Sequence, residues 1–309
     1  MQGKHVTIFG GSGFIGRSLI QKLAREGAII RVPVRAPTQA LFLKTLGHVG
    51  QITLIKMNIG DKKAIKSCCI GSDIIINLLG ILFEKRNSTF EKIHIEVART
   101  IAESAAEERV ERLLHMSALT PASSANSKYA KTKIIGEEAV LKAYPDATIF
   151  RPSLVFGPHD HFFNTFAEMS RFSPILPLIG RGKTRLQPIY IEDVVEAMLI
   201  AIKHPETQGK IYELGGPQIY SFKELFELIL KTTQRKRLLL PIPYFVAKIL
   251  GFFCEFFPTP ILTRDQVKML ENDNIANKEH LTCKNLGISP HSLESILPQY
   301  LSHYKPNTY

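Results

Sequence analysis

The chain contains 309 residues, of which 45% are hydrophobic and 22% are charged, so a disordered segment and a small disulfide-stapled scaffold are both excluded. One large α/β unit or two coupled lobes are the expected organisations for this length. The 39 Lys and Arg exceed the 28 Asp and Glu by 11, which favours phosphates, nucleic acid or an anionic membrane surface as partners, or reflects a lysine-rich solvated surface.

Short apolar runs alternate with longer helical patterns from the first residue to about residue 152. This alternation is typical of βαβ units, and it predicts an α/β fold with a Rossmann-type, doubly wound parallel sheet. The predicted strands span residues 5–9, 28–34, 52–57, 74–79, 112–116 and 148–150. Helices are therefore expected on both faces of the sheet.

The pattern loosens into a stretch rich in Pro and Gly at 158–182 and then returns with a strand at 189–191, a helix at 193–202 and a strand at 211–214. Ser221 and Glu224 have the spacing of a capping box before a helix at 222–231. We predict a dinucleotide-binding domain of residues 1–157 and 186–216. A smaller, mostly helical C-terminal lobe for a substrate or partner takes residues 158–185 and 217–309.

The N-terminus runs directly into an apolar strand, which leaves no room for a signal peptide. Four cysteines without a CxxC pattern indicate a reducing compartment, so a cytoplasmic protein is expected. The basic residues are scattered without interleaved aromatics, and no nucleic-acid partner is predicted. The sequence HDH at 159–161 offers metal ligands, but no further ligand cluster stands nearby, so we predict no metal site.

Glycines stand at positions 10, 13 and 16, between the first predicted strand and the first predicted helix. In this context the first glycine permits a tight turn, the second lets the backbone approach a pyrophosphate, and the third allows close packing of helix and strand. A purely structural turn is the alternative. The position at the start of a βαβ series favours a dinucleotide site.

Cofactor choice depends on the end of the second strand, where an acidic residue would accept the ribose hydroxyls of NAD. Arg35 stands there instead, and Arg17 follows the third glycine. The pair predicts NADP(H), with NAD(H) as the alternative if Arg35 is only a solvated strand-end residue. Asn58 follows the third strand and offers a hydrogen-bonding group for adenine.

Further motifs extend this pattern along the chain. They are YAKTK at 129–133, RPSLVFGP at 151–158 and IEDV at 191–194. Together with the GxxGxxG spacing, they resemble the extended branch of the short-chain dehydrogenase/reductase superfamily. Within it, HMSAL at 115–119 and ELGGP at 213–217 resemble the atypical group that contains the nucleotide-binding accessory subunit of respiratory complex I.

This resemblance implies a role for particular residues. Tyr129 would exchange a proton with a substrate, Lys133 would lower the pKa of Tyr129, and Ser117 would hydrogen-bond the substrate. The cofactor contacts that it implies are Gly10, Ser12, Gly13, Phe14, Ile15, Gly16, Arg17, Arg35, Asn58, Leu78, Leu79, Tyr129, Lys133 and Pro152.

Two positions depart from the active members of the superfamily. Ser117 does not align cleanly with their substrate-binding serine, and His94 stands where they carry an asparagine that holds a proton-relay water. His94 is either a substitute or a packed histidine. The sequence therefore leaves two functions open. The first is structural or regulatory NADP(H) binding, associated with complex I or quinone metabolism. The second is an active reductase, dehydrogenase or nucleotide-sugar epimerase.

The segment 238–257 contains 15 apolar residues out of 20 and follows the basic run QRKR at 234–237. Pro241 and Pro243 exclude a single spanning helix. A helix that follows Pro243 and runs through Phe257 either forms the core of the C-terminal lobe or docks on a partner or membrane surface. We predict peripheral association with the inner face of the cytoplasmic membrane.

Overall fold

The chain folds into an α/β structure, which a computed structural model describes for residues 1–85, 87–121 and 126–306. In chain order, strands β1 to β14 are His5–Phe9, Ile29–Val34, Ile52–Lys56, Ile74–Asn77, Arg112–Met116, Thr148–Pro152, Val155–Phe156, Ile175–Ile179, Arg185–Leu186, Ile189–Tyr190, Ile211–Leu214, Tyr220–Ser221, Leu238–Ile242 and Leu281–Thr282. Helices α1 to α10 are Phe14–Arg25, Lys62–Cys69, Ala98–Glu107, Lys128–Ala143, Phe162–Phe172, Ile191–Lys203, Phe222–Thr232, Tyr244–Cys254, Arg264–Met269 and Leu293–Leu301. A π-helical segment, Glu91–Val97, runs into α3.

The main sheet has the strand order β14-β11-β6-β5-β4-β1-β2-β3. The six strands β6-β5-β4-β1-β2-β3, in the order in which they lie in the sheet, all pair in parallel. The chain reverses its direction of growth between β1 and β4, and the carboxyl ends of these two strands flank the crevice in which doubly wound sheets bind ligands. The predicted Rossmann-type fold is confirmed, and each predicted strand of this sheet overlaps an observed one.

The chain divides into two compact units. The first contains Met1–Ala118, Thr132–Arg151 and Val194–Tyr212, and its core packs apolar side chains of the sheet against α2, α3 and α4. The second contains Leu119–Lys131, Pro152–Asp193 and Glu213–Tyr309. Its core is a cluster of aromatic and aliphatic side chains from α5, α7 and α10.

The second unit contains local strand pairs that the sequence did not indicate. β8 lies in the stretch rich in Pro and Gly, and it pairs in parallel with β13, so that Leu238 faces Ile175 across the pair. Pro177 and Pro241 lie within these strands, and proline is tolerated there because a two-stranded sheet consists only of edges. The capping box of Ser221 and Glu224 is confirmed at the start of α7.

Helix α8 begins directly after Pro243, as predicted, but it ends at Cys254 and not at Phe257. The backbone closes with a tighter turn in which Phe256 N donates to Phe253 O over 3.3 Å, and Pro258 follows. The residue before a proline avoids the helical conformation, which explains the early end. None of the helices in the described part of the chain has the length and apolar character needed to span a bilayer.

Candidate functional site: a dinucleotide cradle

The glycine turn brings the end of β1 against the segment after β4. Gly10 has φ +79°, and a Cβ there would lie 3.0 Å from the carbonyl carbon of Leu78. A Cβ on Gly16 would lie 2.5 Å from the Cα of Gly11, so α1 packs directly on the turn. Both positions therefore require glycine, one for its conformation and both for close backbone packing.

The N-terminus of α1 is open to an anion. Gly13 is its N-cap residue, has no side chain to cap the first turn, and is exposed, as is Ser12. The first turn, which begins with Phe14 and Ile15, contains no acidic residue. Free N–H groups and the positive end of the helix dipole favour a phosphate at this place.

The two arginines predicted to contact the cofactor, Arg17 and Arg35, belong to the first unit. Arg35 is exposed directly after β2. The guanidinium carbon of Arg17 lies 5.2 Å from the centroid of the Phe42 ring, and its buried Nε has no hydrogen-bond partner among the described atoms. A cation held by an aromatic face, with a donor to spare, suits an anionic ligand group.

The segment after β4 is held by a side chain that sequence reasoning missed. Asn77 Oδ1 accepts a hydrogen bond from Leu79 N over 3.1 Å, and its amide donates to Nδ1 of buried His115 over 3.1 Å. These bonds fix Leu78 and Leu79 beside Gly10. The sequence feature that indicates this role is the position of Asn77, a polar residue at the end of the apolar strand β4. Asn58 is exposed, and its Oδ1 accepts from Gly60 N.

Helix α4 carries the tyrosine and lysine of the predicted catalytic pair. Tyr129 and Lys133 are four residues apart and lie on the same helical face. Asp265 of α9 caps the start of α4 by accepting hydrogen bonds from Ser127 Oγ and from the backbone N of Lys128 and Tyr129, at 2.8 to 3.0 Å. Sequence reasoning missed this cap, because it joins segments 136 residues apart.

The pKa values of this pair are displaced in opposite directions. Burial raises the pKa of Tyr129 to about 12. Burial lowers the pKa of Lys133 to about 8, partly offset by Glu137, and its Nζ donates to Met116 O over 2.8 Å. Ser117 follows β5, is buried, and its Oγ has no partner among the described atoms.

His94 is a packed histidine at the junction of three segments. Its Nε2 accepts from Ile81 N over 3.2 Å, so its Nδ1 carries the proton and donates to Thr132 Oγ1 over 3.0 Å. Burial, with the nearby Lys133, lowers the pKa of His94 to about 3. The ring is therefore neutral at physiological pH. It lies in the π-helical segment, an irregularity that often marks functional sites.

Pro152 ends β6 and its carbonyl accepts from Leu119 N over 3.0 Å. It belongs to the second unit, as does Tyr129, whereas the other predicted cofactor contacts belong to the first. Arg151, the last residue before it, forms an ion pair with buried Glu137 on α4. The described residues contain no group of three or more His, Cys, Asp and Glu side chains arranged to hold a metal ion.

Three features define a nicotinamide-dinucleotide-binding protein of the Rossmann type. They are the turn that requires glycine, the uncapped N-terminus of α1, and the parallel sheet whose order of growth reverses between β1 and β4. We define the cradle as the glycine turn of residues 10–16 with the N-terminus of α1. The residues present fit such a dinucleotide group, because Gly13 leaves room for a pyrophosphate and the first turn of α1 offers N–H donors to it. When bound, the group would supply a hydride donor or acceptor.

Comparison with known proteins agrees with this class. Residues 6–215 match the model of the NAD dependent epimerase/dehydratase family, and the chain belongs to that family. The chain is 33% identical over 311 residues to the mitochondrial NADH dehydrogenase [ubiquinone] 1 alpha subcomplex subunit 9 of Arabidopsis thaliana, covering 97% of this chain and 77% of the relative. It is also 33% identical to the mouse (Mus musculus) subunit 9 over 297 residues, 95% of this chain and 78% of the relative.

A solved structure supports the fold. The dTDP-glucose 4,6-dehydratase of Streptomyces venezuelae, solved with NAD bound, superposes with a TM-score of 0.75 at 16% identity, covering 97% of this chain and 96% of that one. At this identity the likeness concerns the fold alone. The family indicates a nicotinamide dinucleotide as the cofactor.

Proposed function

We propose that the protein is an NADP(H)-binding partner of respiratory complex I, NADH:ubiquinone oxidoreductase, in which the dinucleotide has a structural or regulatory role. The observation that carries this proposal is the similarity of nearly the whole chain to complex I subunits, combined with an intact dinucleotide cradle. A role in quinone metabolism remains the related hypothesis from the sequence. In either case the dinucleotide is a resident group and not a consumed substrate.

The preference for NADP(H) is supported by charge at the end of β2. Exposed Arg35 stands where an acidic residue would select NAD, and Arg17 has a donor without a partner among the described atoms. Two guanidinium groups that meet a 2′-phosphate would form charge-assisted hydrogen bonds, which are stronger than neutral ones.

Weak turnover is supported by the state of the residues around Lys133. Tyr129 has a pKa raised to about 12, so its phenol retains the proton firmly near neutral pH. Both ring nitrogens of His94 are engaged by Ile81 and Thr132, so the ring has no free position for a relay water. Lys133 can still bind the nicotinamide ribose.

Changing Arg35 to Asp is expected to lower the affinity for NADPH about 10- to 150-fold, because one charge-assisted contact of about 1.5–3 kcal/mol is lost. The affinity for NADH should stay level or rise. Calorimetric titration with both reduced cofactors measures the two constants. Arg25→Asp is the matched control, since Arg25 is exposed at the far end of α1 and should leave both affinities unchanged.

Equal affinities of the wild type for NADPH and NADH would contradict the assignment of the cofactor. A preference for NADPH that survives Arg35→Asp would also contradict the role of this residue.

The alternative function is an active reductase, dehydrogenase or epimerase. One observation favours it: the buried Ser117 Oγ lacks a partner among the described atoms, beside the Met116 carbonyl that Lys133 contacts. A hydroxyl left open at the carboxyl end of a strand suits a substrate oxygen. Steady NADPH oxidation with carbonyl or quinone substrates, abolished by Tyr129→Phe, would establish this function in place of the first.

A further inference from the structure

Helix α8 packs through its small residues and leaves its phenylalanines exposed. Ala247 and Gly251 are buried, whereas Phe245 is 67% and Phe253 is 60% exposed. A Cβ on Gly251 would lie 2.9 Å from the backbone N of Arg264, so the contact with α9 depends on the absence of a side chain. The helix therefore joins the core of its lobe through Ala247, which packs with Ile179 and Val267, but its phenylalanines do not.

Ion pairs hold the charged side chains of this region. Lys248 Nζ lies 2.5 Å from Glu271 Oε1. Arg264 lies 2.8 Å from Glu255 and places its guanidinium carbon 5.0 Å from the centroid of the Phe252 ring. These contacts fix the rotation of α8 about its axis, so the apolar face is presented to solvent by packing and not by a mobile side chain.

The exposed apolar face continues beyond the helix, where Phe256 is 75% and Ile261 is 71% exposed. Scattered exposed apolar residues are ordinary, but a contiguous patch of large ones marks an interaction site. We define the α8 surface as Phe245, Ile249, Leu250, Phe252, Phe253, Phe256, Phe257 and Ile261.

Basic residues outnumber acidic ones in the part of the sequence that contains this surface. The segment 231–268 contains seven Lys and Arg against two Asp and Glu. Arg235 and Arg237 each donate through Nε to a backbone carbonyl, and Lys236 is exposed. None of the three forms an ion pair with a described carboxylate. Nearby, Arg171 lies 5.3 Å from the centroid of the Phe172 ring, which is 78% exposed.

We propose that the α8 surface docks on the surface of a lipid bilayer that contains anionic lipid. Phenylalanines enter the boundary between headgroups and acyl chains, and the unpaired cations of 235–237 lie among the lipid phosphates. A bilayer suits a convex helix with bulky apolar tips, whereas a protein partner would be expected to meet some polar groups on it. This inference is independent of the identity of the dinucleotide.

The expected binding depends on both charge and insertion. Each cation near an anionic leaflet strengthens binding about fivefold, and the strengthening falls as salt screens the charges. Removal of two phenylalanines should weaken binding at least about 10-fold, because each buried ring contributes a large apolar area.

The chain contains no tryptophan, so Phe253→Trp creates a single fluorescent probe on the α8 surface. With vesicles of phosphatidylcholine and phosphatidylglycerol, we expect a blue shift and quenching by brominated acyl chains. Vesicles of phosphatidylcholine alone should give a much smaller effect. Val49→Trp is the matched control, because Val49 is fully exposed in the first unit and its tryptophan should stay in water.

Sedimentation with the same vesicles tests the residues. Wild type should pellet at low salt and be released at high salt, and the double variant Phe252→Ser with Phe253→Ser should lose at least about 10-fold in affinity. The control double variant, Val49→Ser with Ile70→Ser, removes exposed apolar residues of the first unit and should bind like wild type. Since all four side chains are exposed, every variant should keep the thermal unfolding of the wild type.

The proposal is overturned if wild type stays in the supernatant with anionic vesicles at low salt, or if the Phe252 and Phe253 variant binds like wild type. Self-association in the absence of vesicles that the same variant abolishes would also overturn it and assign the surface to a second copy of the chain. Neither outcome affects the calorimetric test of cofactor binding.

Discussion

Replacing Gly13 with valine is expected to weaken dinucleotide binding at least about 100-fold while the melting temperature stays close to that of the wild type. Gly13 has φ −79° and ψ −175°, a conformation open to other residues. A Cβ added to Gly13 would lie 3.2 Å from Gly10 O, so the backbone would have to shift by only a few tenths of an ångström. Because the position is exposed, glycine is required there to leave room for a ligand, and the fold itself does not require it. Calorimetry and thermal unfolding measure the two effects.

Two further glycines serve as matched controls for this result. Gly10 and Gly50 have φ values of +79° and +82°, but only Gly10 has backbone atoms within 4 Å of an added Cβ. Gly50→Ala should cost about 1–2 kcal/mol of stability from strain and leave binding intact, whereas Gly10→Ala should cost more and also impair binding. A Gly13→Val protein that binds the dinucleotide as wild type does would place the ligand elsewhere.

Replacing Lys133 with methionine is expected to make the stability difference from wild type depend on pH. Burial lowers the pKa of Lys133 from its usual value of 10.5 to about 8, so the unfolded chain binds this proton more tightly than the folded chain. Below about pH 8 the wild type bears the full cost of a buried charge. Between about pH 8 and 10.5 that cost disappears, and wild type gains up to about 3 kcal/mol relative to Lys133→Met.

Urea unfolding of the protein without cofactor, at a series of pH values, measures this difference. Lys131→Met is the matched control, because Lys131 is an exposed residue on the same helix and its replacement relieves no burial. A difference between wild type and Lys133→Met that does not change from neutral to alkaline pH would show that the lysine is solvated in the folded protein.

Local patterns in the sequence predict most of the first unit. The six strands predicted between residues 5 and 150 all lie in the main sheet, because strands buried on both faces need continuous apolar residues. Gly16 can be predicted from the sequence because the constraint on it is local: a Cβ there would meet the Cα of Gly11 at 2.5 Å. The capping box of Ser221 is equally local.

Long-range contacts account for what the sequence did not reveal. The pairing of β8 with β13 joins segments about 60 residues apart, and both contain proline, which argued against strands. The role of Asn77 depends on His115, in the neighbouring strand. An apolar helix such as α8 has the same pattern whether its phenylalanines or its small residues face inward. The packing of Gly251 against α9, with the ion pairs of Lys248 and Arg264, decides between these orientations.

The association with complex I, together with the identity of the resident cofactor, is the central claim. It is tested by native electrophoresis of gently solubilised membranes from the source cells, followed by mass spectrometry of the nucleotide released from the protein. We expect the chain to migrate with NADH:quinone oxidoreductase activity and to release NADP(H), and the Gly13→Val protein to release none. A chain that migrates apart from that activity, or that releases NAD(H) or no nucleotide, would contradict the proposed function.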